Sequence, residues 1–128
     1  LLNRARTFVF TTAAPVPVAA AAVAGVRLAV GPEGEERRHR LRANGALLSN
    51  LLQGRVQPPS GPILPVVLGP GAAALAAGVT LRSQGLFVPA IRPPTVPEGT
   101  ARLRVTLSSE HTQADLHRLA EALLGVLP

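Results

Sequence analysis

The sequence predicts a small α/β layer: a three-stranded, mostly antiparallel sheet with helices on one face. Three observations point there. Thr100–Leu107 alternates strictly, with Ala101, Leu103, Val105 and Leu107 facing one way and Arg102, Arg104 and Thr106 the other, the period of a half-buried strand. Two short β-prone runs, Ile63–Leu68 and Leu86–Ile91, stand between Gly/Pro breaks. Four longer stretches carry helical spacing or alanine-rich apolar composition.

In chain order, Arg6–Phe10 is an apolar run suited to a strand or an extended lead-in. Pro15 and Pro17 suit a helix start, and Val18–Val30, rich in alanine and almost wholly apolar, predicts a buried helix. Gly31–Gly34 reads as a break. From Glu35 to Arg55, Leu41, Leu47, Leu48, Leu51 and Leu52 recur at helical spacing. Acidic residues open this helix and arginines follow, which suits its dipole. Its run Glu35–Arg40 is expected to be a solvated face. Gln57–Pro62 is a Pro/Gly/Ser loop. Ile63–Leu68 is a strand that Pro65 confines to an edge or an irregular position. After the turn Gly69–Gly71, Ala72–Gln84 predicts a helix that stops at Gly85. Leu86–Ile91 is a strand and Arg92–Gly99 a stiff, proline-rich loop. Thr112 and Asp115 form a capping-box-like start with Asp in place of Glu, for a helix running to about Leu124. The expected order is α-α-β-α-β-β-α.

Composition narrows the chemistry. The 128 residues carry 13 basic side chains, every one arginine, against 7 acidic, a net charge of +6. With no lysine, this chain cannot itself form a Schiff base through a side chain or complete a P-loop. With no cysteine it has no thiol nucleophile, disulfide or thiolate metal site. Aromatic residues are 2 % of the chain, so the core must be aliphatic, and stacking platforms for nucleic acid are lacking. The arginines are scattered, and no nucleic-acid partner is expected. The uncharged stretches Thr7–Val26 and Val56–Leu81 are broken by prolines and lack the Leu/Ile/Phe density of a membrane span. The start, Leu1–Ala24, mimics a signal peptide, but Pro15 and Pro17 interrupt its apolar run. A soluble, cytoplasmic protein is expected.

Few residues could carry catalysis. His39, His111 and His117 have no metal-pair spacing, and no metal site is expected. There is no G-x-S-x-G elbow, and the single aspartate, Asp115, serves better as a cap. The most suggestive piece is Arg92–Arg104. Three prolines stiffen a loop, Gly99 lets it re-enter a strand, and Arg102 and Arg104 share one face of that strand. A strand-borne arginine presents a planar fork suited to a carboxylate. On the residues alone, two surface arginines on an exposed sheet face explain the pattern equally well.

The segment Ala90–Thr112, AIRPPTVPEGTARLRVTLSSEHT, resembles the C-terminal signature of the pyridoxal-phosphate-dependent α-oxoamine synthases, in the form of their 8-amino-7-oxononanoate synthase branch. Thr7–Pro15, TFVFTTAAP, resembles the same family's F-[IV]-[FY]-[ST]-T segment. Val16 departs from it, since a second consecutive proline is common there. The resemblance covers essentially the whole chain and corresponds to the last third of the family's enzymes. It implies the C-terminal domain of a fold-type-I PLP-dependent transferase, with residues 1–31 as the end of the large domain and a connecting helix, and 32–128 as the small domain. It implies a homodimer and a decarboxylative acyltransferase of biotin synthesis, joining L-alanine to pimeloyl-CoA or pimeloyl-carrier protein. Another member, using glycine or serine with an acyl-CoA, and a non-catalytic domain that kept this fold are the alternatives. By resemblance, Arg104 binds the amino-acid carboxylate, Arg92 matches an arginine that in the serine-using relatives can also reach it, and Thr95 touches substrate. Thr12 and Thr11 would reach the cofactor phosphate of the neighbouring subunit; family members vary between Ser and Thr at the place of Thr11. The family's Schiff-base lysine lies outside these 128 residues, so this stretch alone is expected to be inactive.

Overall fold

The computed structural model describes Arg4 and residues 13–127. The expected lead-in strand Arg6–Phe10 and both cofactor-side threonines, Thr11 and Thr12, lie outside the described residues. The chain divides into two compact units, residues 1–36 and 37–128.

In the first unit, helix α1 spans Val16–Val30, with Pro15 as its N-cap residue and a proline in its first turn. A proline costs nothing there, because the first amides of a helix have no intrahelical acceptor. None of the α1 residues is buried, contrary to the expectation of a buried helix; Val16 is 81 % and Val30 77 % exposed. The break expected over Gly31–Gly34 shrinks to Gly31. Helix α2 begins at Pro32 and runs Pro32–Leu51, because Pro32 is itself a good first helical residue. Gly34 is buried, and a Cβ added to it would fall on the carbonyl of Ala29. A glycine one turn into the helix therefore lets the two backbones approach closely.

Helix α2 stops four residues short of the expected Arg55. The amide of Gln53 donates to Asn50 and that of Gly54 to Ser49, with Gln53 at φ 57°. This is a Schellman closure with a left-handed residue that is not glycine.

Beyond α2 lie β1 (Ile63–Gly69), α3 (Gly71–Ser83), β2 (Ala90–Ile91), β3 (Ala101–Thr106) and α4 (Gln113–Leu124). The three strands form one sheet in the order β1-β3-β2, antiparallel throughout. Pro65 does sit on an edge strand, where its missing N–H removes no ladder bond. The register shifts between Val67 and Gly69, and Gly69 takes φ +87°, a conformation glycine adopts without strain.

The strand expected over Leu86–Ile91 is only Ala90–Ile91. Leu86 donates instead to Leu81, closing α3, and Pro89 has no amide to give; its carbonyl accepts from Arg104. Gly85 takes the expected left-handed position after α3, at φ +78°.

The alternation of β3 is fully realised. Ala101, Leu103, Val105 and Leu107 are buried, while Arg104 and Thr106 are exposed and Arg102 is half-buried. The inner face packs into an aliphatic core with Leu48, Leu52, Leu64, Leu81, Leu116 and Leu123. Helix α3 lies on all three strands. The capping box of α4 is present: the Asp115 amide donates to Thr112 Oγ1 at 3.2 Å, and the Thr112 amide donates to Asp115 Oδ2 at 2.9 Å. The charge run on α2 is not wholly solvated. Arg37 Nη1 pairs with Glu110 at 3.0 Å, with Arg40 at 3.9 Å from the same oxygen.

Among the described residues no single helix is long and apolar enough to cross a membrane; only α1 with α2, broken at Gly31, pass such a length-and-composition test together.

Candidate anion-binding groove

The outer face of the sheet carries the candidate site. Because β3 is central, each outward side chain has a neighbour across the ladder. Arg104 lies opposite Pro65 of β1, and Arg102 lies between Val67 of β1 and Ile91 of β2. The proline-rich loop leaves β2 through a turn closed by the Thr95 amide on the Arg92 carbonyl (3.1 Å). It re-enters at a second turn, with the Thr100 amide on the Pro97 carbonyl (3.2 Å) and Gly99 at φ +73°. That positive φ at the third residue of a tight turn is why a glycine stands there. The Thr100 hydroxyl adds a bond to the same Pro97 carbonyl at 2.7 Å.

This loop and the sheet face enclose an open groove of about 600 Å³. Thr95, Arg102 and Arg104 line it, together with Gln57 and Ser60 of the loop before β1 and an apolar wall of Ile63, Pro65 and Ile91. The structure thus places Thr95 and Arg104 on one groove. Arg92 stands at the start of the loop, exposed, and does not line the groove. In the sequence Gln57 and Ser60 are loop residues with no motif of their own. Their place beside Arg104 depends on the pairing of β1 with β3, a long-range register no local motif announces.

The electrostatics are one-sided. Among the described residues two guanidiniums line the groove and no carboxylate does. Among the described residues the Arg104 side chain has no hydrogen-bond or ion-pair partner, and Arg102 spends only Nε, on the Thr100 carbonyl at 3.0 Å. Such an arrangement suits an anionic ligand, with arginine forks as charge-assisted donors and Thr95, Ser60 and Gln57 as neutral ones. No described residue of the groove is a primary amine, so these side chains fit a carboxylate or phosphate, and not a covalent hold on a carbonyl cofactor.

The histidines take no part in the groove. His111 Nδ1 accepts from the Ser108 amide at 3.2 Å, and its carbonyl accepts from Asn44 at 3.2 Å, which is a local structural role. Among the described residues no group of three His, Asp or Glu side chains could hold a metal ion.

Comparison with known proteins agrees with this architecture. Residues 1–123 match the family aminotransferase class I and II. The chain is 54 % identical over 126 residues to an 8-amino-7-oxononanoate synthase of Bordetella petrii, covering 96 % of this chain and 32 % of that protein. It is 47 % identical over 130 residues to one of Ralstonia pickettii, with 96 % and 31 % coverage. A solved structure of SPT with a PLP internal aldimine superposes with a TM-score of 0.82 at 27 % identity, over 98 % of this chain and 32 % of that one. The chain spans about a third of the length of the curated relatives it matches. By the extent of the family match and by its fold, the chain belongs to the aminotransferase class I and II family.

Proposed function

We propose that this chain supplies the amino-acid carboxylate site of a PLP-dependent acyltransferase that joins L-alanine to pimeloyl-CoA or pimeloyl-carrier protein, giving 8-amino-7-oxononanoate for biotin synthesis. The observation that carries the reading is Arg104: among the described residues, a guanidinium with no partner in a groove that no carboxylate lines, in a chain 54 % identical to a protein of that name.

The reaction breaks the bond between Cα and the carboxylate and releases carbon dioxide. It forms a bond between Cα and the acyl carbon, and the thiol leaves carrying a proton. Bound PLP supplies the electron sink for that chemistry. This chain's own residues bind and orient. Arg104 presents its fork to the substrate carboxylate from a rigid central strand, where strand geometry holds it better than a loop would. Thr95 offers a hydroxyl from the facing loop. Arg92, exposed at the loop's start and outside the groove lining, is kept as a carboxylate contact for the serine-using reading. Thr12 and Thr11 are assigned to the cofactor phosphate of the neighbouring subunit, in a homodimer, with the Schiff-base lysine outside these 128 residues. Residues 1–31 are read as the end of the large domain with its connecting helix and 32–128 as the small domain; the apolar, unburied α1 fits that reading. The setting is the cytoplasm.

The likeness to SPT favours a second reading, a family member that takes serine or glycine. One assay separates the two. The full-length gene product, loaded with PLP, is given a pimeloyl thioester with L-alanine, glycine or L-serine, and free thiol is measured. Thiol release is expected with L-alanine above the others. Arg104→Lys keeps the charge but loses the fork, and should raise the amino-acid KM about tenfold or more while leaving the thioester KM unchanged. Preference for serine or glycine would select the second reading. Absence of thiol release with every amino acid, or an unchanged amino-acid KM in the variant, would overturn the proposal.

A further inference from the structure

The groove holds a second arginine that an amino-acid carboxylate does not need. Arg102 and Arg104 are two positions apart on β3, so they project from one face roughly 7 Å apart along the strand. Arg102 is half-buried, flanked by Val67 and Ile91 across the ladder. Its Nε is held by the Thr100 carbonyl at 3.0 Å. That bond orients the guanidinium and leaves both terminal nitrogens, which have no partner among the described residues. A cation kept half out of water, with no carboxylate among the described residues that line the same groove, favours an anionic ligand. Beside the two arginines the outer face is apolar, with Pro65 opposite Arg104, Ile91 opposite Arg102 and Ile63 beyond them, opposite Thr106.

We propose that Arg102 is a second anion-binding residue, and that the groove takes a ligand with two carboxylates joined by a methylene spacer. One carboxylate meets Arg104, the other meets Arg102, and the spacer lies along the apolar wall. This rests on the assignment of Arg104 to a carboxylate and extends it to the class of ligand.

The test is calorimetric titration of the full-length gene product with adipate and with hexanoate, acids of equal chain length that differ by one carboxylate. Adipate should bind about tenfold tighter, the size of one added charge-assisted contact. Arg102→Gln should reduce adipate binding to the level of hexanoate and leave hexanoate unchanged. Arg102→Lys, which keeps charge without the fork, should restore part of the difference. Equal affinities in the unmodified protein, no measurable binding of either acid, or an equal loss for both acids in Arg102→Gln would each overturn the proposal. Arg104→Gln should weaken both acids. If it weakens neither while the adipate preference persists, the carboxylate role of Arg104 fails and the anion site at Arg102 stands.

Discussion

Asp115 and Arg104 are both exposed and charged, and their surroundings use the charge in opposite ways. The Asp115 carboxylate accepts from the Thr112 hydroxyl at 2.7 Å and from the Thr112 amide at 2.9 Å. These bonds hold its pKa below the ordinary 3.8, with smaller help from His111 and Arg118. A depressed carboxylate stabilises the fold above its unfolded pKa, and that contribution is lost as pH falls through the lower folded value. Thermal melts taken downward from pH 5 should therefore show the unfolding temperature dropping more steeply in the unmodified chain than in Asp115→Asn. Parallel curves would show that the capping box does not titrate with folding. Arg104 has no such side-chain partner among the described residues, and its charge is the one the proposed function assigns to a carboxylate. Sequence showed both residues, but for different reasons. The Thr112–Asp115 spacing is local and needs only a helix start. The role proposed for Arg104 draws on the family resemblance and on the groove, because two arginines on a strand face look the same with or without a ligand.

At the scale of elements, α2 and α3 end in the same way with different residues. Both close with paired backbone bonds, to Ser49 and Asn50 for α2 and to Leu81 and Arg82 for α3. The left-handed residue is Gly85 after α3 and Gln53 after α2. A Cβ in that conformation costs about 1 kcal/mol, partly offset by the greater freedom of glycine in the unfolded chain. Gly85→Ala should destabilise by about 1 kcal/mol, since its new Cβ would also stand 3.2 Å from Arg118 Nη2. Gln53→Gly should be neutral or stabilising by a few tenths. Urea unfolding of the two variants checks the pair, and a loss of stability in Gln53→Gly would count against it. Gly85 was legible because glycine after a periodic stretch is a stop signal. Gln53 was not, because glutamine carries no such signal, and so the expected helix overran to Arg55. The strand over Leu86–Ile91 was overread for a related reason. Its first residue belongs to the closure of α3, and Pro89 cannot continue a ladder.

For the whole molecule, the absence of lysine makes a direct prediction. Incubation of the 128-residue chain with PLP, then borohydride reduction and peptide mapping, should find no pyridoxyl group on any side chain. An adduct on a side chain, or turnover by this chain alone, would overturn the assignment of the Schiff-base lysine to another stretch. The sequence by itself determined the element types, the inward face of β3, the cap of α4, the stop at Gly85 and the exclusion of thiol and side-chain imine chemistry. These follow from residue type and period, which act over a few neighbours. Only the tertiary structure decided that β3 is the central strand, that Pro65 faces Arg104, and that Gln57 and Ser60 share a groove with Arg102 and Arg104. Strand order and register depend on contacts between residues far apart in the chain, and local spacing carries no record of those.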